Sequence, residues 1–198
     1  MRIVFNLLLP LSAATAAAQG VPERPLGGAL AGAAGARAGS EYLVTMPLGD
    51  LVPRTEERGG TRETDWLPPG ASFDRAPRMV MVERIAGATD DGAPLRFVQG
   101  LATCLRPCPG QGLGAVDRTP FQGRPAARIT MDMPATAVFS GLPSRTYALA
   151  IAGERNLHVV IVMFRGPRSA ADERFAQDVL RSVVLCTPAS HAAACRSD

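Results

Sequence analysis

The sequence predicts an α+β domain in which a β-sheet is covered by helices on both faces. Three observations predict it. Residues Leu157 to Phe164 read Leu-His-Val-Val-Ile-Val-Met-Phe. Strand alternation puts Leu157, Val159, Ile161 and Met163 on one side and His158, Val160, Val162 and Phe164 on the other. Both sides are apolar, so this strand is central and needs a cover on each face. A second strand, Arg145 to Ala152, precedes it across Gly153-Glu154-Arg155-Asn156, a turn of hairpin length. A closing helix follows. Ser169-Ala-Ala-Asp172 has the form of a capping sequence. Phe175, Ala176, Val179, Leu180, Val183 and Val184 form a stripe that would pack on the sheet. A charge at Val179 or Leu180 is expected to be strongly destabilising.

Earlier elements follow from the same periodicities. The domain alternates strand and helix signals, beginning with the short apolar run Tyr42 to Leu48. Pro77 to Ile85 carries Met79-Val80-Met81-Val82; Pro77 suits a first position, where no ladder donor is needed. Asp90-Asp91-Gly92 makes a turn. Leu95, Val98, Ala102 and Leu105 fall at helical spacing, with Pro94 tolerated in the first turn and Pro107 and Gly110 ending the helix. Leu113 to Arg118 and Pro125 to Met133 read as two strands around Phe121-Gln122-Gly123. Ile129, Met131 and Met133 share one face of the second.

Composition narrows the chemistry. All 21 basic residues among the 198 are Arg. Without a lysine there is no Schiff-base amine, no P-loop lysine and no Ser/Lys dyad. Met1-Arg2, the apolar run Ile3 to Leu11 and Ala16-Ala17-Ala18 match a secretory signal, with cleavage expected after Ala18. The apolar run is shorter than the ~20 residues of a spanning helix. Residues 1–18 are therefore expected to be a signal peptide and 19–40, rich in Gly and Ala, a flexible linker. The domain is expected over 41–187, with a tail at 188–198. High Ala, Arg, Gly and Pro point to a GC-rich bacterial genome and a periplasmic destination. The mature chain would hold 20 Arg against 18 acidic residues. These charges are interspersed and aromatics are few, so no nucleic-acid partner is expected. No integral membrane segment is expected after cleavage, and the oligomeric state stays open.

Catalytic constellations are sparse. His158 lies on an apolar strand face and reads as a packed sheet residue. A Ser/His/Asp triad would need His158 or His191 near Ser140 or Ser144 and an acid; Phe139-Ser140-Gly141 lacks the nucleophile elbow, and no triad is expected. The glycines at 110, 112 and 114 form no dinucleotide fingerprint. Four cysteines, Cys104, Cys108, Cys186 and Cys195, allow three pairings in an exported protein. Cys104-Leu-Arg-Pro-Cys108 has one residue too many for a thioredoxin-type pair and sits at a helix end, where a thiolate gains nothing. Cys186, His191 and Cys195 could gather three zinc ligands, but a disulfide with a solvated histidine is the simpler reading. No cofactor, metal or catalytic residue is expected. Arg118, Arg124, Arg128, Arg165 and Arg168 are candidate contacts to an anionic ligand or a partner carboxylate.

The stretch Arg145 to Arg165, with the helix after it, resembles the terminal hairpin and helix of PsbP/DcrB-like proteins. Trp66-Leu-Pro-Pro-Gly70 through Met79-Val-Met-Val-Glu83 resembles that family's opening segment, and Gln122-Gly-Arg-Pro-Ala126 its turn into a middle strand. The resemblance covers about Glu41 to Cys186. It implies an antiparallel sheet in an α/β/α sandwich and no shared reaction. Cys108-Pro-Gly and Leu185-Cys186 stand at family-like positions, which implies a Cys108–Cys186 disulfide with Cys104–Cys195 as a second. The local alternative pairs Cys104 with Cys108 and Cys186 with Cys195. The functional expectation is a non-enzymatic envelope accessory protein acting through protein contacts. The alternatives are a ligand-binding envelope protein or a small hydrolytic or thiol enzyme.

Overall fold

A computed structural model describes residues 41–104, 112–113, 116–133, 141–167, 169–189 and 195. The expected signal peptide, the linker, Cys108, Arg168 and His191 lie outside them. Among the described residues, nine strands and two helices run in the order β1 (Tyr42–Val44), β2 (Val52–Arg58), β3 (Thr61–Leu67), β4 (Arg78–Ala86), α1 (Ala93–Cys104), β5 (Gly112–Leu113), β6 (Ala126–Met133), β7 (Ser144–Ala152), β8 (Asn156–Arg165), α2 (Ala170–Ser182) and β9 (Val184–Cys186). Seven strands form one sheet, ordered β2-β3-β4-β8-β7-β6-β5, and every neighbouring pair is antiparallel. The architecture is α+β, a mostly antiparallel sheet with two helices.

β8 sits in the middle of that sheet, as its two apolar sides require. Leu157, Val159, Ile161 and Met163 join Met79, Met81, Ile129, Met131 and Met133 in one core cluster. Val160, Val162 and Phe164 join Val80, Val82, Tyr147, Leu149 and Ile151 in a second. α1 contributes Ala93, Val98, Leu101 and Ala102 to the first cluster. α2 contributes Ala176, Val179 and Leu180 to the second. Val179 is fully buried, in line with the expected cost of a charge there. The α2 capping box is formed: Ser169 Oγ accepts from the Asp172 N–H at 3.1 Å, and the Asp172 carboxylate accepts from the Ser169 N–H at 3.1 Å. Pro94 stands in the first turn of α1. Pro77 precedes β4 and offers its carbonyl to the Arg165 N–H at 2.8 Å.

Four expectations need correction. Of the described residues in the expected strand Leu113 to Arg118, only Leu113 is in a strand, opposite Met131, and Asp117 makes an isolated bridge to Arg128. The run Tyr42 to Leu48 forms a strand only to Val44, and that strand does not enter the main sheet. β1 pairs with β9 in a separate two-stranded ribbon, Tyr42 opposite Cys186. The closing helix stops at Ser182 instead of carrying its stripe on through Val183 and Val184. Val183 is its C-cap with ψ 132°, an extended backbone, and the following Val184-Leu185 continues as strand. The Ser182 hydroxyl donates to the Val179 carbonyl at 2.8 Å, and Thr45 Oγ1 donates to the same oxygen at 3.2 Å, so the residue that follows β1 helps to end the helix.

The implied Cys108–Cys186 and Cys104–Cys195 disulfides are also overturned. Cys186 is bonded to Cys195, with Cα atoms 5.4 Å apart. The reason is topological. β9 leaves α2 on the side of the second core cluster, where Leu185 packs, whereas α1 packs with the first. Cys195 instead lies beside β9, and the Tyr42 hydroxyl donates to its carbonyl at 2.9 Å.

Candidate functional site

Glu41 is buried at the threshold of β1 and reaches the turn between β7 and β8. Its carboxylate accepts from the N–H of Glu154, from the N–H of Arg155 at 3.1 Å and from Asn156 Nδ2 at 3.1 Å. His158 Nε2 lies 3.4 Å away, and both side chains are 2% exposed. Burial pushes the carboxyl pKa up. The hydrogen bonds from His158, the two backbone N–H groups and Asn156 outweigh it and hold the pKa at about 2. Gly153 makes room for this contact: a Cβ there would stand 2.7 Å from Glu41 Oε2 and 2.9 Å from the Asn156 carbonyl. A pair so enclosed fastens the start of the domain to its central hairpin. His158 is thus a packed sheet residue, as its strand face implied. Glu41 had no sequence signal beyond standing where the domain begins.

Glu83 is a second buried acid. It lies on β4 opposite Glu63 of β3 and Val159 of β8. Burial, with the nearby charges of Glu63 and Asp65, raises its pKa to about 8, so it carries a proton at neutral pH. Among the described residues, no three His, Cys, Asp or Glu side chains are gathered in a way that could hold a metal ion.

The candidate arginines among the described residues do not converge. Arg118 is exposed. Arg124 pairs with Glu154 at 3.0 Å. The Arg128 guanidinium lies 5.7 Å from the Phe121 ring centre. Arg165 is buried, donates to the Ala76 carbonyl at 2.8 Å and stacks over Phe73 at 5.6 Å. Arg128 faces Leu149 across the β6–β7 pair, whereas Arg165 faces Ser144, the first residue of β7. Those ends are roughly 17 Å apart along a strand. Near Arg165, the buried hydroxyls of Ser144 and Thr146 have no hydrogen-bond partner among the described residues.

The most open feature was not read from the sequence. β2 is an edge strand, and all seven of its residues are exposed. It pairs with β3 through a two-residue turn, Gly59-Gly60, whose φ angles are 57° and 82°. Two successive left-handed residues are what a tight hairpin needs, and Gly supplies them without strain. Gly-Gly between two Thr/Arg/Glu runs was the available signal. Neither run alternates apolar with polar residues, so periodicity alone leaves them unassigned.

The ladder also fixes which backbone groups of β2 face outward. The Ala86 N–H donates to the Gly60 carbonyl, so Gly60 and the even-numbered residues after it turn their backbone groups toward β4. Odd-numbered residues of β3 then bond β2 through Val52, Arg54, Glu56 and Arg58. Pro53, Thr55 and Glu57 are left with backbone groups aimed away from the sheet. Pro53 has no N–H to present there, which is where an edge strand tolerates proline.

No family model and no curated protein matches the chain. Solved structures overlap with it at low identity. The Ran-binding protein Mog1p of Saccharomyces cerevisiae superposes with a TM-score of 0.45 at 10% identity, covering 74% of this chain and 94% of that one. LpqN of Mycobacterium tuberculosis, described as involved in cell envelope biogenesis, gives 0.46 at 13% identity over 76% and 87%. A protein of unknown function from Pseudomonas aeruginosa gives 0.40 at 12% identity over 65% and 90%. These neighbours have the Mog1/PsbP-like fold. Overlaps of this size say nothing about a role for this chain. Among the described residues no helix is long and apolar enough to cross a membrane.

Proposed function

We propose that this chain is an exported, non-enzymatic accessory protein that engages a protein partner at the β2 edge by strand addition. The observation that carries the reading is β2 itself, seven exposed residues with outward backbone groups at the rim of the sheet. Such an edge offers main-chain hydrogen bonds to an extended segment. The buried Glu41–His158 pair, by contrast, is closed to a solute.

The remaining parts of the proposal are structural. The division of core residues between two clusters, one with α1 and one with α2, supports an α/β/α sandwich of the PsbP/DcrB kind over residues 41–187. The Cys186–Cys195 disulfide suits an oxidising compartment, in keeping with the signal-like first 18 residues and a periplasmic destination. Arg118 and Arg124, near the Phe121–Gly123 turn, give a second area that could meet carboxylates. A ligand-binding reading draws on one observation, the buried hydroxyls of Ser144 and Thr146, which have no hydrogen-bond partner among the described residues.

Photocrosslinking in intact cells tests the edge. A crosslinking residue at Glu57, on β2, is expected to yield a discrete adduct. The same residue at Asp178, exposed on α2, is expected to yield none. Equal labelling from both positions, or none from Glu57, would remove β2 as the contact surface.

A further inference from the structure

We propose that the occupant of the β2 edge is a second copy of this chain, its β2 lying antiparallel to the first with Thr55 on the two-fold axis. The inference rests on the strand-addition reading and adds the identity and register of the partner strand. In this register all seven residues of β2 are matched. Thr55 faces its own copy, Arg54 faces the other copy's Glu56, Pro53 faces Glu57, and Val52 faces Arg58.

Two independent conditions select this register. The first is backbone parity. Only Pro53, Thr55 and Glu57 turn their N–H and C=O groups outward, so each must meet another of the three. The register satisfies this. The Thr55 pair exchanges two hydrogen bonds, and each Glu57 N–H meets a Pro53 carbonyl. The missing proline N–H costs only the return bonds. The second condition is charge. Arg54 and Glu56 lie on the same side of β2, opposite Asp65 and Glu63 of β3. Centring on Thr55 places Arg54 and Glu56 across from each other twice over. Shifting the axis to Glu56 sets Glu56 against itself and Arg54 against Arg58. Shifting it to Arg54 sets Arg54 against itself. Both shifts place like charges directly opposite, which destabilises a strand pair. β2 is therefore self-complementary in one parity-allowed register about its own centre.

The joint buries one short strand per copy, less than the ~1,200 Å² at which specific interfaces become stable, so a weak, concentration-dependent dimer is expected. Sedimentation equilibrium of the purified full chain, from low micromolar to near-millimolar concentration, reads it directly. Arg54→Glu and Glu56→Arg are each expected to weaken the dimer about tenfold or more, because each sets two like-charge pairs across the axis. The double swap is expected to restore it. Glu56→Arg is the more telling variant. It places an arginine opposite Glu63 and so favours the β2–β3 hairpin, yet it should still cost the dimer. A chain that stays monomeric throughout, or a dimer that both single variants leave unchanged, would overturn the proposal. If the Glu57 crosslink then captured a different protein, strand addition would stand and only the second copy would fall. An adduct of twice the chain mass supports both.

Discussion

The carboxylate of Glu41 lies 3.4 Å from the imidazole Nε2 of His158, across 117 positions of sequence, and both side chains are sealed from water. One acidic residue thereby joins the start of the domain to its central hairpin. Its hydrogen bonds come from two backbone N–H groups, an amide and an imidazole.

Glu41→Ala is expected to destabilise the fold by about 3 kcal/mol, since it leaves several buried donors without their acceptor. The same contact predicts an acid limb. The Glu41 pKa is about 2 when folded and near 4.5 when free. Between those values the unfolded chain binds the extra proton, so stability is full above about pH 4.5 and declines as pH falls toward 2. Urea unfolding across that range checks it: Glu41→Gln should show a shallower decline than the parent.

Gly153→Ala places a methyl group 2.7 Å from Glu41 Oε2. The expected loss is about 1–3 kcal/mol. Part of it should vanish in a Glu41→Ala background, because the clashing carboxylate is gone. A double-mutant cycle measures that coupling; strict additivity would mean that the two residues do not meet.

Glu83 predicts the opposite pH trend. Its pKa is about 8 in the fold and near 4.5 in the open chain. Over that interval the folded state holds the proton and the unfolded state has lost it, so stability falls as pH rises. Glu83→Gln, which mimics the protonated acid, should flatten the slope and raise stability by on the order of 2 kcal/mol at about pH 8. Thermal melts at about pH 5 and pH 8 separate the outcomes, since equal pH slopes in parent and variant would exclude this role for Glu83.

Peptide mapping without reduction is expected to recover a Cys186–Cys195 pair. Cys195→Ser should cost about 2–3 kcal/mol, the value for a loop of this size, where the sequence separation is 9. A Cys108–Cys186 peptide would contradict the fold at β9.

By itself, the sequence determined the elements whose burial is written in their own periodicity. β8 declares a central position because both of its alternating sides are apolar. α2 declares its start through Ser169 and Asp172 and its packed side through Ala176, Val179 and Leu180. The hairpin of β7 and β8 follows from a short polar turn between two such runs. Only the tertiary structure decided what depends on which elements meet. β1 and β9 are three residues each, too short to specify a partner, and they pair because α2 ends beside the start of the domain. That meeting fixes Cys186 with Cys195, and no spacing rule among four cysteines can foresee it. β2 and β3 carry charges on both sides, so no apolar stripe marks them; their pairing depends on a glycine turn and on the neighbouring β4. Glu41 looks like any surface acid in a linear reading. It becomes a buried anchor only where the backbone of a distant turn directs two N–H groups at one point.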